Sequence, residues 1–234
     1  MGTRDPNAVI DAFQGEVAQS RSAFLTLLAA AEALPVALRR RLAQDSFFSL
    51  AVAFEVFRSE WHIAAVSRDL SVLTTSLDSE VAGVLAVRQH VRGARAFVRV
   101  DIPRHLSLEQ TRGLIDPDGS NHTFRHVKVE GGIAERWQAA AKRELADPYR
   151  QAILGIPTRD LKVIQLVDAL RDCHAHASPR AGVRLASALS ALDPRDLLDL
   201  GSSLVTHSRL GLYLLAPVNG EPRVSMIHAR LDRI

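Results

Sequence analysis

Apolar residues return every three or four positions over most of this chain, and that period predicts helices. Asp5-Pro6 reads as an N-cap followed by proline at the first helical position. From there Ile10, Phe13, Val17, Phe24 and Leu28 mark the inner face of a first long helix ending near Ala33. Pro35 restarts a short basic helix through Arg41, and a second long helix is expected over about 45–68. Phe47, Leu50, Ala51, Phe54, Phe57, Trp61, Ala64 and Ala65 give it one wide apolar face, while Glu55, Arg58, Ser59 and His62 fall on its other side. Residues 69–89 read as a third helix with Leu73, Leu77, Val81, Val84 and Leu85 turned inward.

After Gly93 the period changes. Phe97, Val98 and Val100 predict a short strand ended by Pro103, and Ser107-Leu-Glu-Gln110 is a capping-box start for a brief helix to Leu114. Turn residues fill 116–121, and Asp116, Asp118 and Ser120 read as a turn because they lack the glycine and closing glutamate of a calcium loop. Helical spacing resumes near Gly132, with Ile133 and Trp137, and again from about Asp147 to Leu154. Thr158 is expected to cap the next helix, whose face includes Leu161, Ile164, Val167 and Leu170. Ser178-Pro179 and Asp193-Pro194 each start a further helix, the second ending near Ser203. Asn219-Gly220 between two apolar runs favours a C-terminal β-hairpin, although Val224, Ile227, Leu231 and Ile234 also keep helical spacing. The expected architecture is mainly α: one domain over 1–234, with a small β insertion at 94–131 and a β-hairpin at the end.

Composition narrows the class. No apolar run reaches the roughly 18 residues of a membrane span, so no membrane association is expected. The N-terminal stretch has acidic residues and no apolar signal core; its Met-Gly fits a myristoylation pattern poorly and reads as a tag scar. Cys173 is the single cysteine, which rules out an intrachain disulfide and favours a reducing cytoplasm. A net charge of +3 does not by itself argue for nucleic acid. Lys128, Lys142 and Lys162 are the only lysines, an arginine bias that fits a GC-rich genome as well as phosphate recognition.

The candidate chemistry lies in Arg171-Asp-Cys-His-Ala-His176, at the end of the apolar run LKVIQLVDAL. Arginine offers a permanent cation with a rigid donor fork suited to phosphate. Histidine titrates near neutrality and can both take and give a proton. Arg171 and His176 are five positions apart, about 140° around a straight helix, so they share a face only if the helix ends or loosens between them. Two chains pairing across this helix end would instead build one composite site from both motifs. His174, three positions from Arg171, is a rival. Asp172 either orients these groups or is a solvent-facing charge. The plainer reading is a helix C-terminus whose histidines suit its negative dipole end.

The stretch LVDALRDCHAHAS resembles the signature of the HEPN superfamily, whose motif is arginine, commonly a polar residue, and histidine after four to six intervening positions. Arg171, Asp172 and His176 match it; His174 does not, with two residues between. The helix over 161–170 and the long pair over 7–33 and 45–68 look like the family's antiparallel helical bundle, and FRSEWHIAAVSRD is similar to the long helix of some stand-alone bacterial members. The resemblance implies a HEPN-like bundle and a metal-independent endoribonuclease with no cofactor. In this chemistry a ribose 2′-hydroxyl attacks the adjacent phosphate, His176 moves protons, Arg171 neutralises charge on the phosphoryl oxygens, and Asp172 supports them. It also implies an RNA substrate, a homodimer across 171–176, and an antitoxin or defence partner in a toxin–antitoxin or antiviral role. The alternative is a catalytically silent HEPN-like module that pairs with a nucleotidyltransferase or other defence protein.

Other constellations are weaker. Cys173, His174 and His176 lack a fourth ligand at any zinc spacing, so no metal site is expected. His122 and His126 read as surface residues. Glu55, Arg58 and His62, at i, i+3 and i+7, read as a solvated salt-bridge stripe or, with His174, as supporting residues of the active cleft. No phosphate loop, nucleophile elbow or dinucleotide fingerprint occurs.

Overall fold

The computed structural model describes residues 4–87, 106–116, 124, 127, 129–192, 207–218 and 220–234. It is mainly helical, and among the described residues the only sheet is one pair of two-residue strands. The strand expected at 97–100, the turn over 117–121, His122, His126 and the helix expected over 193–203 lie outside the described residues, as do the side chains of Val84 and Leu85. So does most of the expected insertion.

Helix α1 (Pro6–Ala30) opens as its sequence predicts, with the Asp5 carboxylate accepting the Asn7 backbone N–H at 3.0 Å. Helix α2 runs unbroken over Val36–Arg68, merging the two helices expected separately. The intervening Arg41-Leu-Ala-Gln44 are strong helix formers with no breaker. Arg41 and Asp45 also pair one turn apart at 3.0 Å, bridging the expected gap. Helix α3 (Ser71–Val87) starts under Asp69, which accepts the Ser71 N–H at 2.9 Å; the hydrogen bonds from Ser71 hold the Asp69 carboxyl below its usual range. The capping box of α4 (Leu108–Ile115) is present in both directions between Ser107 and Gln110.

Helices α5 (Ile133–Glu144) and α6 (Tyr149–Leu154) follow as expected. In α7 (Thr158–His176) the cap position belongs to Pro157 and not to Thr158, which is already helical and makes no side-chain cap bond. Ser178 caps α8 (Pro179–Ser190) by accepting the Ala181 N–H at 3.2 Å.

The expected C-terminal hairpin is present but short, and helices take the place of its outer strands. Leu210–Leu215 is a helix, α9; β1 (Pro217–Val218) and β2 (Glu221–Pro222) pair around a turn in which Gly220 takes φ +86; Arg223–Leu231 is helix α10. The helical period of Val224, Ile227 and Leu231 wins because all three are buried on one face, which a strand's alternation would split.

The chain divides into two compact units, the first made of 1–9, 58–131 and 135–155, the second of 10–57, 132–134 and 156–234. Aromatic rings centre the first: Trp61 meets Trp137 and Tyr149 edge-on, each at 6.3 Å between centroids, and Phe124 lies against Trp137. In the second, Phe13 stacks on Phe57 at 4.3 Å, while α7 packs along α8 and α10 against α9. Arg223, 1% exposed, donates to the Tyr213 carbonyl at 2.8 Å and lies over that ring, locking α10 to α9.

Candidate functional site

Helix α7 is apolar on the side that it buries, with Val163, Ile164, Leu166, Val167, Leu170 and Cys173 all within the core of the second unit. That burial fixes the rotation of the helix and therefore where the motif's polar side chains emerge. Helical geometry continues through His176, and Ala177 then closes the helix in the left-handed region at φ 47. No loosening brings Arg171 and His176 together: the two stay about 140° apart around one regular helix. His176 is exposed on the last turn.

Arg171 is turned toward α2. Its Nη2 donates to Glu55 Oε2 at 2.8 Å, and its Nη1 lies 3.7 Å from the Asp172 carboxylate. One turn further, the His174 ring sits 5.1 Å from the Phe48 ring. Glu55 and Phe48 are seven positions apart on α2 and so share a face, while Arg171 and His174 share a face of α7. The order is reversed between the helices, as an antiparallel pair requires. His174, half-buried, therefore belongs with Arg171 on the wall against α2, and His176 stands apart from both.

Asp172 is a half-buried member of an ion network. It pairs closely with Arg184 of α8, and the same guanidinium reaches Asp168 at 2.8 Å. Arg184 is the residue that sequence reasoning missed. Its signal in the sequence is weak: Asp168 and Asp172 lie one turn apart on α7, where like charges repel slightly and a nearby cation relieves them. Cys173 is 2% exposed, and burial pushes its thiol up, which leaves it a packing residue with no nucleophilic role.

The stripe of Glu55, Arg58 and His62 is not a solvated face. Arg58 and His62, in the first unit, are 5% and 0% exposed. His62 Nε2 lies 2.8 Å from Glu144 Oε2, and its ring is edge-on to Phe124. Of the three, Glu55 is the carboxylate that holds Arg171. Among the described residues no three His, Cys, Asp or Glu side chains converge as a metal cluster.

No family model matches the chain, and no curated protein or solved structure matches it either.

Proposed function

We propose that this protein is a metal-independent endoribonuclease of HEPN type, acting as a homodimer whose active site is composite. The observation that supports it is the placement of two complementary groups at one helix end. Arg171 is positioned by Glu55, and His176 is exposed one turn and a half later on the opposite side of an intact helix. A single chain keeps them apart. Two chains related by a two-fold axis across this helix end set the Arg171 of one against the His176 of the other.

RNA bound there is cut by attack of its 2′-hydroxyl on the adjacent phosphate. His176 takes the proton of the attacking hydroxyl and returns it to the 5′-oxygen as the P–O5′ bond breaks, while Arg171 stabilises the charge that develops on the non-bridging oxygens. Glu55 and Asp172 act as positioning residues for the arginine. Positioned proton transfer contributes roughly 10²–10⁴-fold, enough for a slow regulated nuclease. The biological setting that goes with this reading is a toxin or antiviral effector in the cytoplasm, restrained by a partner protein.

The test is total RNA incubated with wild type and His176→Ala in excess EDTA, with analysis of the ends. Cutting by wild type alone, leaving 2′,3′-cyclic phosphates and 5′-hydroxyls, is expected. Equal cutting by the variant removes the assignment.

A second reading draws on the same ion pair. With two carboxylates beside it, Arg171 serves as a structural clamp in a silent interaction module. In that case no RNA is cut, and Arg171→Ala lowers stability without changing any toxicity on expression.

A further inference from the structure

A cavity of about 570 Å³ opens in the second unit between the end of α1, the start of α2, and α9. Its size falls within the range of small-molecule sites. Leu25 and Leu28 of α1, Val36 of α2, and Leu212 and Leu215 of α9 give it an apolar lining. Val36 and Leu212 are 46% and 43% exposed, so this apolar surface is left in water. The floor is rigid. Gly211 lies so close to α2 that a Cβ there would stand 2.8 Å from Arg40 Cβ and 3.0 Å from the Arg40 carbonyl oxygen.

Arg39 and Arg40 complete the lining. Both are half-buried and both bury Nε without an acceptor; among the described residues neither side chain makes an ion pair or hydrogen bond. The adjacent Arg41 contrasts with them, because it is satisfied by Asp45. The carboxylate in the lining is that of Glu32, which is exposed, so two cations face one acid. The arginines also sit near the N-terminus of α2, which has no acidic residue in its first turn. That is the positive end of the helix dipole, where cations are unfavourable and an anion is welcome. Half-buried permanent charges without partners, beside an apolar wall, form an incomplete arrangement.

We propose that the cavity binds a small amphipathic anion, an apolar chain of medium acyl length whose carboxylate or phosphate head is gripped by Arg39 and Arg40. The chain occupies the leucine-lined space, and the two forks supply paired donors to the head. This site is independent of the motif on α7.

The experiment is calorimetric titration of the full chain with decanoate and with decyl phosphate, each below its micelle-forming concentration. Decyltrimethylammonium, inorganic phosphate and anionic vesicles serve as controls. Saturable one-to-one binding of at least one decyl anion is expected, weakened about tenfold or more in Arg39→Gln/Arg40→Gln. The decyl cation and inorganic phosphate are not expected to bind. The relative affinity of decanoate and decyl phosphate identifies the head group. Should the double variant fail to fold, Leu212→Trp places an indole in the cavity from an exposed position and must abolish binding. Equal binding of the decyl cation, unchanged affinity in a folded double variant, or undiminished binding in Leu212→Trp would each overturn the proposal. Binding of vesicles with no binding of either monomeric anion would overturn it as well.

Discussion

Arg171 and Glu55 meet at 2.8 Å, and this pair ties the penultimate turn of α7 to the middle of α2. Their side chains are 26% and 17% exposed, so the pair is shielded from water more than an ordinary surface bridge. Removing one partner takes a charge-assisted contact from a half-buried group. Arg171→Ala and Glu55→Ala are each expected to cost about 1–2 kcal/mol, with a coupling of about 1 kcal/mol in the double-mutant cycle. Urea unfolding of the four proteins measures it. A coupling of zero would make the contact incidental to the fold.

The His62–Glu144 contact is deeper, and its loss should be larger. With both side chains essentially inaccessible, His62→Ala takes a buried hydrogen-bond partner at 2.8 Å from the Glu144 carboxylate. A loss of about 3 kcal/mol is expected from the shift in urea midpoint. A change within experimental error would show that the pair is dispensable.

These two contacts bound what was legible in the sequence. The long helices and most of their starts followed from periodicity and capping residues, because a buried stripe and a cap are local patterns. The apolar face of α7 and its end before Ser178-Pro179 followed in the same way. Partners distant in sequence did not. Nothing local says that His62 meets Glu144, so a polar stripe on α2 read as solvated when two of its members are buried. Arg184 escaped notice because its carboxylates lie on a different helix. At the C-terminus the turn at Gly220 was read correctly, but strand and helix were both consistent with the flanking residues. Burial of Val224, Ile227 and Leu231 together decided for helix.

Close approach at Gly211 leads to a steric prediction. A methyl group there meets backbone and Cβ of Arg40, atoms that cannot swing aside. Gly211→Ala should destabilise by about 1–3 kcal/mol through overpacking, despite the usual gain from alanine within a helix. A thermal melt that shows stabilisation would contradict the packing of α9 on α2.

His228 gives the second unit a pH dependence. It is buried, one ring nitrogen lies 2.8 Å from the Val224 carbonyl oxygen and donates to it, and the other lies 3.3 Å from the Ser20 hydroxyl. Burial pushes the ring below its ordinary 6.5, the Arg21 charge pushes the same way, and the Val224 hydrogen bond opposes them. The unfolded chain therefore binds the proton more readily than the fold. Stability from this group is complete above 6.5 and is lost as pH falls from there through the lowered folded value. His228→Gln should flatten that limb when urea midpoints are compared between about pH 5 and 8. An unchanged slope would assign the dependence to other groups.

The composite site is tested most directly by mixing two inactive variants. Arg171→Ala and His176→Ala are each expected to lose RNA cleavage when alone. Co-refolded in equal amounts, they should regain about a quarter of wild-type activity, since half the dimers are mixed and each carries one intact site. Wild type that cuts while the mixture stays inactive would contradict a site shared between two chains.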